Sequence, residues 1–192
     1  VDVKASFGSS TTLAESAVDG APGDVLATAD ETSMRVAQDG GVVTDPTEFA
    51  TNALVLVVPK DNPAGIKSLD DVPGTDWVRC ADDVPCGRVA QAVLADNEFT
   101  DEAASLEVDV KAVLSKVTSG EADAGFVYAT DAQAAGNNVI AFNVPKSDQE
   151  LTSYFVARLD QTEDADLAKE WIELMESATG REVLARARFG TP

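Results

Sequence analysis

Apolar residues in this chain fall into short runs of two kinds. Leu54-Val55-Leu56-Val57-Val58 is continuous, the pattern of a strand covered on both faces, and Pro59 with Asp61-Asn62-Pro63-Ala64-Gly65 ends it. Residues 24–29, 77–81, 125–128, 139–144 and 151–159 read as further strands, and the alternation Val1-Asp2-Val3-Lys4-Ala5-Ser6-Phe7 as a first one. Helical spacing occupies the gaps. Residues 13–18 form one helix, and residues 31–39 a second, with Asp30 before it and Gly40-Gly41 as its stop. Val84-Pro85-Cys86-Gly87-Arg88 enters a third that runs to about Asp96. Asp109 caps a fourth, whose apolar face is Val113, Leu114 and Val117. Ser68-Leu69-Asp70-Asp71-Val72 is a short capped turn. Residues 164–178 form an amphipathic helix with Leu167, Trp171, Leu174 and Met175 facing the core; Gly180 interrupts it, and residues 182–188 close the chain.

One strand-to-helix junction stands apart. Phe7-Gly8-Ser9-Ser10-Thr11-Thr12-Leu13-Ala14 places a glycine and four hydroxyl residues where a strand hands over to a helix. The first N–H groups of a helix lack intrahelical partners and carry partial positive charge, so such a junction suits an anion. The other reading is an ordinary N-cap, for which Ser and Thr are the usual residues. Four hydroxyls after a glycine are more than a cap needs. Asp24 and Asp30 read as turn and cap residues in preference to metal ligands.

Charge narrows the partners. The formal charge is −20 and there is no basic patch, which excludes nucleic acid and anionic membrane surfaces. A small anion is repelled at long range, but salt screens this beyond roughly 8 Å. Any anion site must therefore work through close, directed donors. Histidine is absent, which removes the commonest general base, the Ser–His and Cys–His pairs and His-ligated metals. No cofactor motif is visible. The chain is not expected to be an enzyme. No apolar run is long enough to span a bilayer, and no signal peptide or lipid-attachment cysteine is present.

The text after the junction sharpens its meaning. Phe7-Gly8-Ser9-Ser10-Thr11-Thr12-Leu13-Ala14, then Gly20-Ala21-Pro22-Gly23-Asp24-Val25, then Ala29-Asp30, resembles the molybdate-binding proteins of ABC transporters. Asn52-Ala53-Leu54-Val55-Leu56-Val57-Val58-Pro59 resembles that family's crossover strand. Gly125-Phe126-Val127-Tyr128-Ala129-Thr130-Asp131-Ala132 is similar to its Gly-x-Val-Tyr-x-Ser-Asp-Ala segment, and Gly180-Arg181-Glu182-Val183-Leu184 through Phe189-Gly190 to its last helix and tail.

The resemblance implies an α/β, two-lobed type II periplasmic-binding-protein fold, its lobes joined by crossover strands. The first lobe would take residues 1–53 plus 159–192, and the second residues 54–158. It implies a monomeric extracytoplasmic receptor that captures molybdate or tungstate for an ABC permease in the membrane. The donors it implies are the hydroxyl and N–H of Ser10, the backbone N–H groups of Cys86 and Val110, and the hydroxyl of Tyr128. Ser9 is a neighbour and possible substitute. For each, a bland role is also open: Pro85-Cys86-Gly87 as a helix start, Val110 in the core and Tyr128 as a packed ring. Donors without acceptors suit a fully ionised dianion. Sulfate, another oxyanion, or a regulatory ligand domain are the alternatives. Family members begin with a further strand, bearing a serine that walls the site, and a helix. By resemblance this chain reads as N-terminally shortened, its first sheet incomplete or filled by another chain. In an exported protein Cys80 and Cys86 read as a local disulfide; the other reading is a pair of thiols beside a loop. A disulfide there would add on the order of 2 kcal/mol and pre-order the Cys86 N–H.

Overall fold

The structure, a computed structural model, describes residues 2–192. The chain runs α1 (Ser10–Val18), β1 (Val25–Thr28), α2 (Glu31–Asp39), β2 (Thr47–Asn52), β3 (Leu54–Pro59), β4 (Trp77–Cys80), α3 (Pro85–Asp96), β5 (Ser105–Glu107), α4 (Val110–Ser119), β6 (Ala124–Tyr128), α5 (Ala129–Ala135), β7 (Val139–Asn143), β8 (Thr152–Arg158), α6 (Ala165–Glu176) and α7 (Ala178–Arg186). The strands form two sheets, ordered β1-β8-β2 and β5-β4-β6-β3-β7. In the first, β8 is antiparallel to both neighbours. In the second, β4 runs parallel to β5 and β6, and β3 antiparallel to β6 and β7.

Each sheet organises its own core. Val57, Trp77, Phe126, Val113 and Val117 fill the second lobe around β3 and β6. The β3 run Leu54 to Val58 is buried throughout, as a continuous apolar strand between two layers requires. The first sheet is covered on both faces. Ala14, Leu26 and Met34 pack α1 and α2 against one face; Phe49 and Val156 meet Ile172, Met175, Leu184 and Phe189 on the other. Only Ala53 separates β2 of the first sheet from β3 of the second. The chain returns through β8, whose Thr152 pairs with Asn52. These crossings sit side by side, so the lobes share a narrow waist.

Three expectations are corrected. Residues 2–9 carry no strand, Phe7 is 82% exposed, and Val1 lies outside the described residues. Alternation produces a strand only where a ladder partner exists. β1 pairs with β8 along one edge, and no described residue pairs with its other edge. The α6 stripe does not face the core: Leu167 and Trp171 are each 40% exposed and Leu174 is 49% exposed. Of the four, Met175 packs inward, joined by Ala168 and Ile172. The core side of α6 is thus rotated from the bulkiest stripe. Finally, the helix break falls at Ser177, whose backbone is extended (φ −67°, ψ 164°) and whose Oγ accepts from the Gly180 N–H at 3.1 Å. Gly180 lies inside α7. A Cβ there would sit 2.2 Å from the Leu174 carbonyl oxygen, so glycine lets the first turn of α7 press on the end of α6.

This packing sets unequal costs for leucine substitutions. Leu56→Ala, at a fully buried β3 position, should cost about 2–5 kcal/mol. Leu174→Gln should stay within about 0.5 kcal/mol of wild type. Urea unfolding of the two variants checks the ordering.

Candidate functional site

Three helix starts meet at the seam between the lobes. The first is that of α1. Ser9 occupies its N-cap position (φ −60°, ψ 137°) but makes no side-chain cap bond. Its Oγ is buried and has no partner among the described residues. The amides of Ser10, Thr11 and Thr12 also lack acceptors there. The second start is that of α3. Val84 has no side chain that could cap, Pro85 fills the first turn, and the Cys86 N–H is open. Cys80 and Cys86 are joined as a disulfide that ties this start to the end of β4. Gly87 makes the approach possible: a Cβ on it would fall 1.8 Å from the Ala81 carbonyl oxygen. The third start is that of α4. Asp109 Oδ1 accepts from the Ala112 N–H at 2.8 Å, leaving the Val110 and Lys111 amides open.

Side chains knit these starts together. Thr11 Oγ1 donates to the Asp83 carbonyl at 3.1 Å, joining α1 to the turn before α3. Lys111 Nζ lies 5.0 Å above the Phe7 ring, joining the segment before α1 to α4. Arg88 crosses the seam. Its Nε donates to Asp30 Oδ2 at 2.6 Å, its Nη2 to Ser33 Oγ at 3.1 Å and its Nη1 to the Asp83 carbonyl at 2.6 Å. Asp30 serves two roles at once, because its Oδ1 also caps α2 at the Ser33 N–H, 2.8 Å away. Asp30 neutralises the Arg88 charge, and besides the Lys111 ammonium over the Phe7 ring the open donors at the helix starts are amides and hydroxyls.

Tyr128 ends β6 and reaches the same place. Its hydroxyl is buried and has no partner among the described residues. Burial, then the nearby Tyr154, pushes its pKa well above the ordinary tyrosine value, so it keeps its proton. Its ring meets Tyr154 edge-on, 6.0 Å between centroids. Tyr154 OH in turn accepts from Asn52 Nδ2, which also donates to Thr130 Oγ1 at 2.9 Å. Asn52 thereby links the waist to the start of α5. Ser10 Oγ is engaged already, accepting from the Ala29 N–H at 2.9 Å. Asp131, in the first turn of α5, is pushed up to about 6, chiefly by burial. Among the described residues no group of three or more His, Cys, Asp or Glu side chains could hold a metal ion, and no helix is long and apolar enough to cross a membrane.

Ser9, Ser10, Cys86 and Val110 thus lie at helix starts that side-chain contacts join across the seam, and Tyr128 lies at the end of β6. The Arg88–Asp30–Ser33 clasp and the Asn52 link were not anticipated. Asp30 gave a readable cap signal but no signal for its second oxygen, and Arg88 sits two residues from Cys86 with nothing local to show what lies across the seam.

Two α/β lobes, paired crossover strands and helix starts at the interlobe seam are the build of a solute-binding protein. The family model described as bacterial extracellular solute-binding protein matches residues 1–189, and the chain belongs to that family. Within it the chain groups with the ModA-like members. The molybdate-binding protein ModA of Mycobacterium tuberculosis is 35% identical over 195 residues, spanning 100% of this chain and 75% of that protein. Among solved structures, the periplasmic molybdate-binding protein of Azotobacter vinelandii superposes with a TM-score of 0.85 at 21% identity, covering 97% of this chain and 86% of that one. The sulfate-binding protein SubI of M. tuberculosis does so with a TM-score of 0.80 at 18% identity, covering 96% and 74%. At those identities the two structures speak for the fold alone.

Asp131 makes stability depend on pH. Its folded pKa lies above the unfolded one, so the folded state binds the extra proton between about pH 4 and pH 6, and stability falls as pH rises through that window. Asp131→Asn should therefore be the more stable protein at about pH 7.5, by up to roughly 3 kcal/mol, with the gap narrowing toward about pH 5. Thermal melts of both proteins across that range check it.

Proposed function

We propose that this chain is an extracytoplasmic receptor that captures molybdate or tungstate at the interlobe seam and hands it, unchanged, to the permease of an ABC importer. It works as a monomer and needs no cofactor. The observation that carries the reading is the set of open donors: the buried, unpartnered hydroxyls of Ser9 and Tyr128 beside the open amides of Ser10, Cys86 and Val110. Buried polar groups are rarely left without partners, and those that are mark a place where a ligand supplies them.

The chemistry of the set selects the ligand class. A fully ionised tetrahedral dianion presents acceptors on every side and can be met by donors alone. A protonated oxyanion needs one acceptor facing it, and a carboxylate supplies that at a cost in repulsion to a dianion. The donors here are neutral, which limits the penalty of bringing opposite charges out of water, and helix starts add oriented dipoles. Amides fixed by a disulfide and by the close approach at Gly87 hold their spacing, so a smaller tetrahedral ion makes longer, weaker contacts. Sulfate should bind less well for that reason. The similarity to ModA proteins supports molybdate or tungstate in particular.

Capture is completed by closure of the lobes about their waist. Arg88 supplies part of the closing force, because its guanidinium on the second lobe grips Asp30 and Ser33 on the first. Ligand and clasp both bridge the same seam, so each favours the closed form and strengthens the other.

Calorimetric titration with molybdate, tungstate and sulfate tests the reading. Molybdate and tungstate should bind tightly and sulfate weakly. Tyr128→Phe should raise the molybdate Kd by about 10–100-fold, the loss of one hydrogen bond to a charged ligand. Binding of sulfate without molybdate or tungstate would reassign the ligand.

A further inference from the structure

Thr152 opens β8 at the waist and is buried. Its hydroxyl donates to the Ala29 carbonyl at 2.5 Å. The N–H of the same residue, Ala29, donates to Ser10 Oγ at 2.9 Å. Ala29 is therefore held from both sides, by the crossover strand through its carbonyl and by the first residue of α1 through its amide.

The direction of these bonds matters. A serine hydroxyl has one proton to give. Ser10 Oγ accepts from Ala29, so its proton must point elsewhere, and no described residue takes it. Thr152 likewise commits its own proton to Ala29, which leaves it nothing to donate to Tyr128. No hydrogen bond has formed between them. Thr152 thus stands behind the ligand-facing hydroxyl of Ser10, acting on it through Ala29.

We propose that Thr152 is a positioning residue for the oxyanion: by anchoring Ala29 it turns the Ser10 proton into the cleft. This rests on the receptor reading above. Thr152 touches no ligand itself. It sets the polarity of the Ser10 hydroxyl, and so helps make that hydroxyl a donor to the site. A valine here would leave the Ala29 carbonyl without its buried partner and let that residue drift from Ser10.

Thr152→Val keeps the shape and removes the hydroxyl, and Thr152→Ser keeps the hydroxyl. In ligand-free protein, hydrogen exchange at the Ala29 amide should speed up by about 10-fold in Thr152→Val and stay near wild type in Thr152→Ser. With molybdate, Thr152→Val should raise Kd by about 10-fold while Thr152→Ser restores it. In a Ser10→Ala background Thr152→Val should cause no further loss, because the group it positions is gone. Thr152→Ala is read by the same exchange if the valine variant does not fold. Unchanged exchange at Ala29, with wild-type binding intact, overturns the role of Thr152 alone. A loss of affinity that persists in the Ser10→Ala background overturns it too, since Thr152 would then act through packing. Wild-type protein that binds neither molybdate nor tungstate overturns the receptor reading, and the positioning role with it.

Discussion

A helix cannot satisfy its own first amides, and the rest of this molecule is arranged around where those amides are left open. The chain treats its helix starts in two ways. α2 and α7 are closed by side chains, Asp30 to the Ser33 amide and Ser177 to the Gly180 amide. α1 and α3 have no cap bond, and α4 is capped in a way that spares its first two amides. α5 and α6 also lack a side-chain cap bond; what sets α1, α3 and α4 apart is that contacts from Thr11, Arg88 and Lys111 draw them to the seam. Scaffold features follow from that need: the disulfide and Gly87 press the start of α3 onto β4, and Ala29 is gripped so that Ser10 keeps its heading.

Charge fits this arrangement. A chain of formal charge −20 cannot attract an anion from afar by its overall field, and screening confines its repulsion to short range. What remains is contact chemistry, where several oriented donors outweigh a diffuse field. The guanidinium nearest the seam is matched by Asp30, so its role is to join lobes. Tyr128 keeps its proton because burial opposes its ionisation, so it stays a donor over the physiological pH range.

The parts of the fold legible in the sequence were those fixed by local physics. Leu54 to Val58 could only be a doubly buried strand, and Asp30, Asp109 and Ser68 announced helical starts that the structure contains. The misreadings share one cause, dependence on a distant partner. The alternation ending at Phe7 has the periodicity of a strand, but periodicity does not supply a neighbour to pair with. Leu167, Trp171 and Leu174 share a helical face, but which face meets the sheet is settled by Phe49 and Val156, more than a hundred residues away or on another strand. The donor positions at Ser10, Cys86, Val110 and Tyr128 were placed by resemblance to a family; their residue types alone described caps and core. Arg88 and Asp30 are 58 positions apart, and only folding reveals that they touch.

The topology of the first sheet also bears on how the protein is made. Among the described residues β1 and β2 share one strand partner, β8, and the register sets Asn52 opposite Thr152, about a hundred residues later. A chain emerging from its amino end reaches β7 with the second sheet's strands all present, while β1 and β2 still lack the strand that binds them. The second lobe can therefore assemble first and as a unit, and the first lobe must wait for β8 to be synthesised. Until then Leu26, Met34 and Phe49 have no sheet to cover.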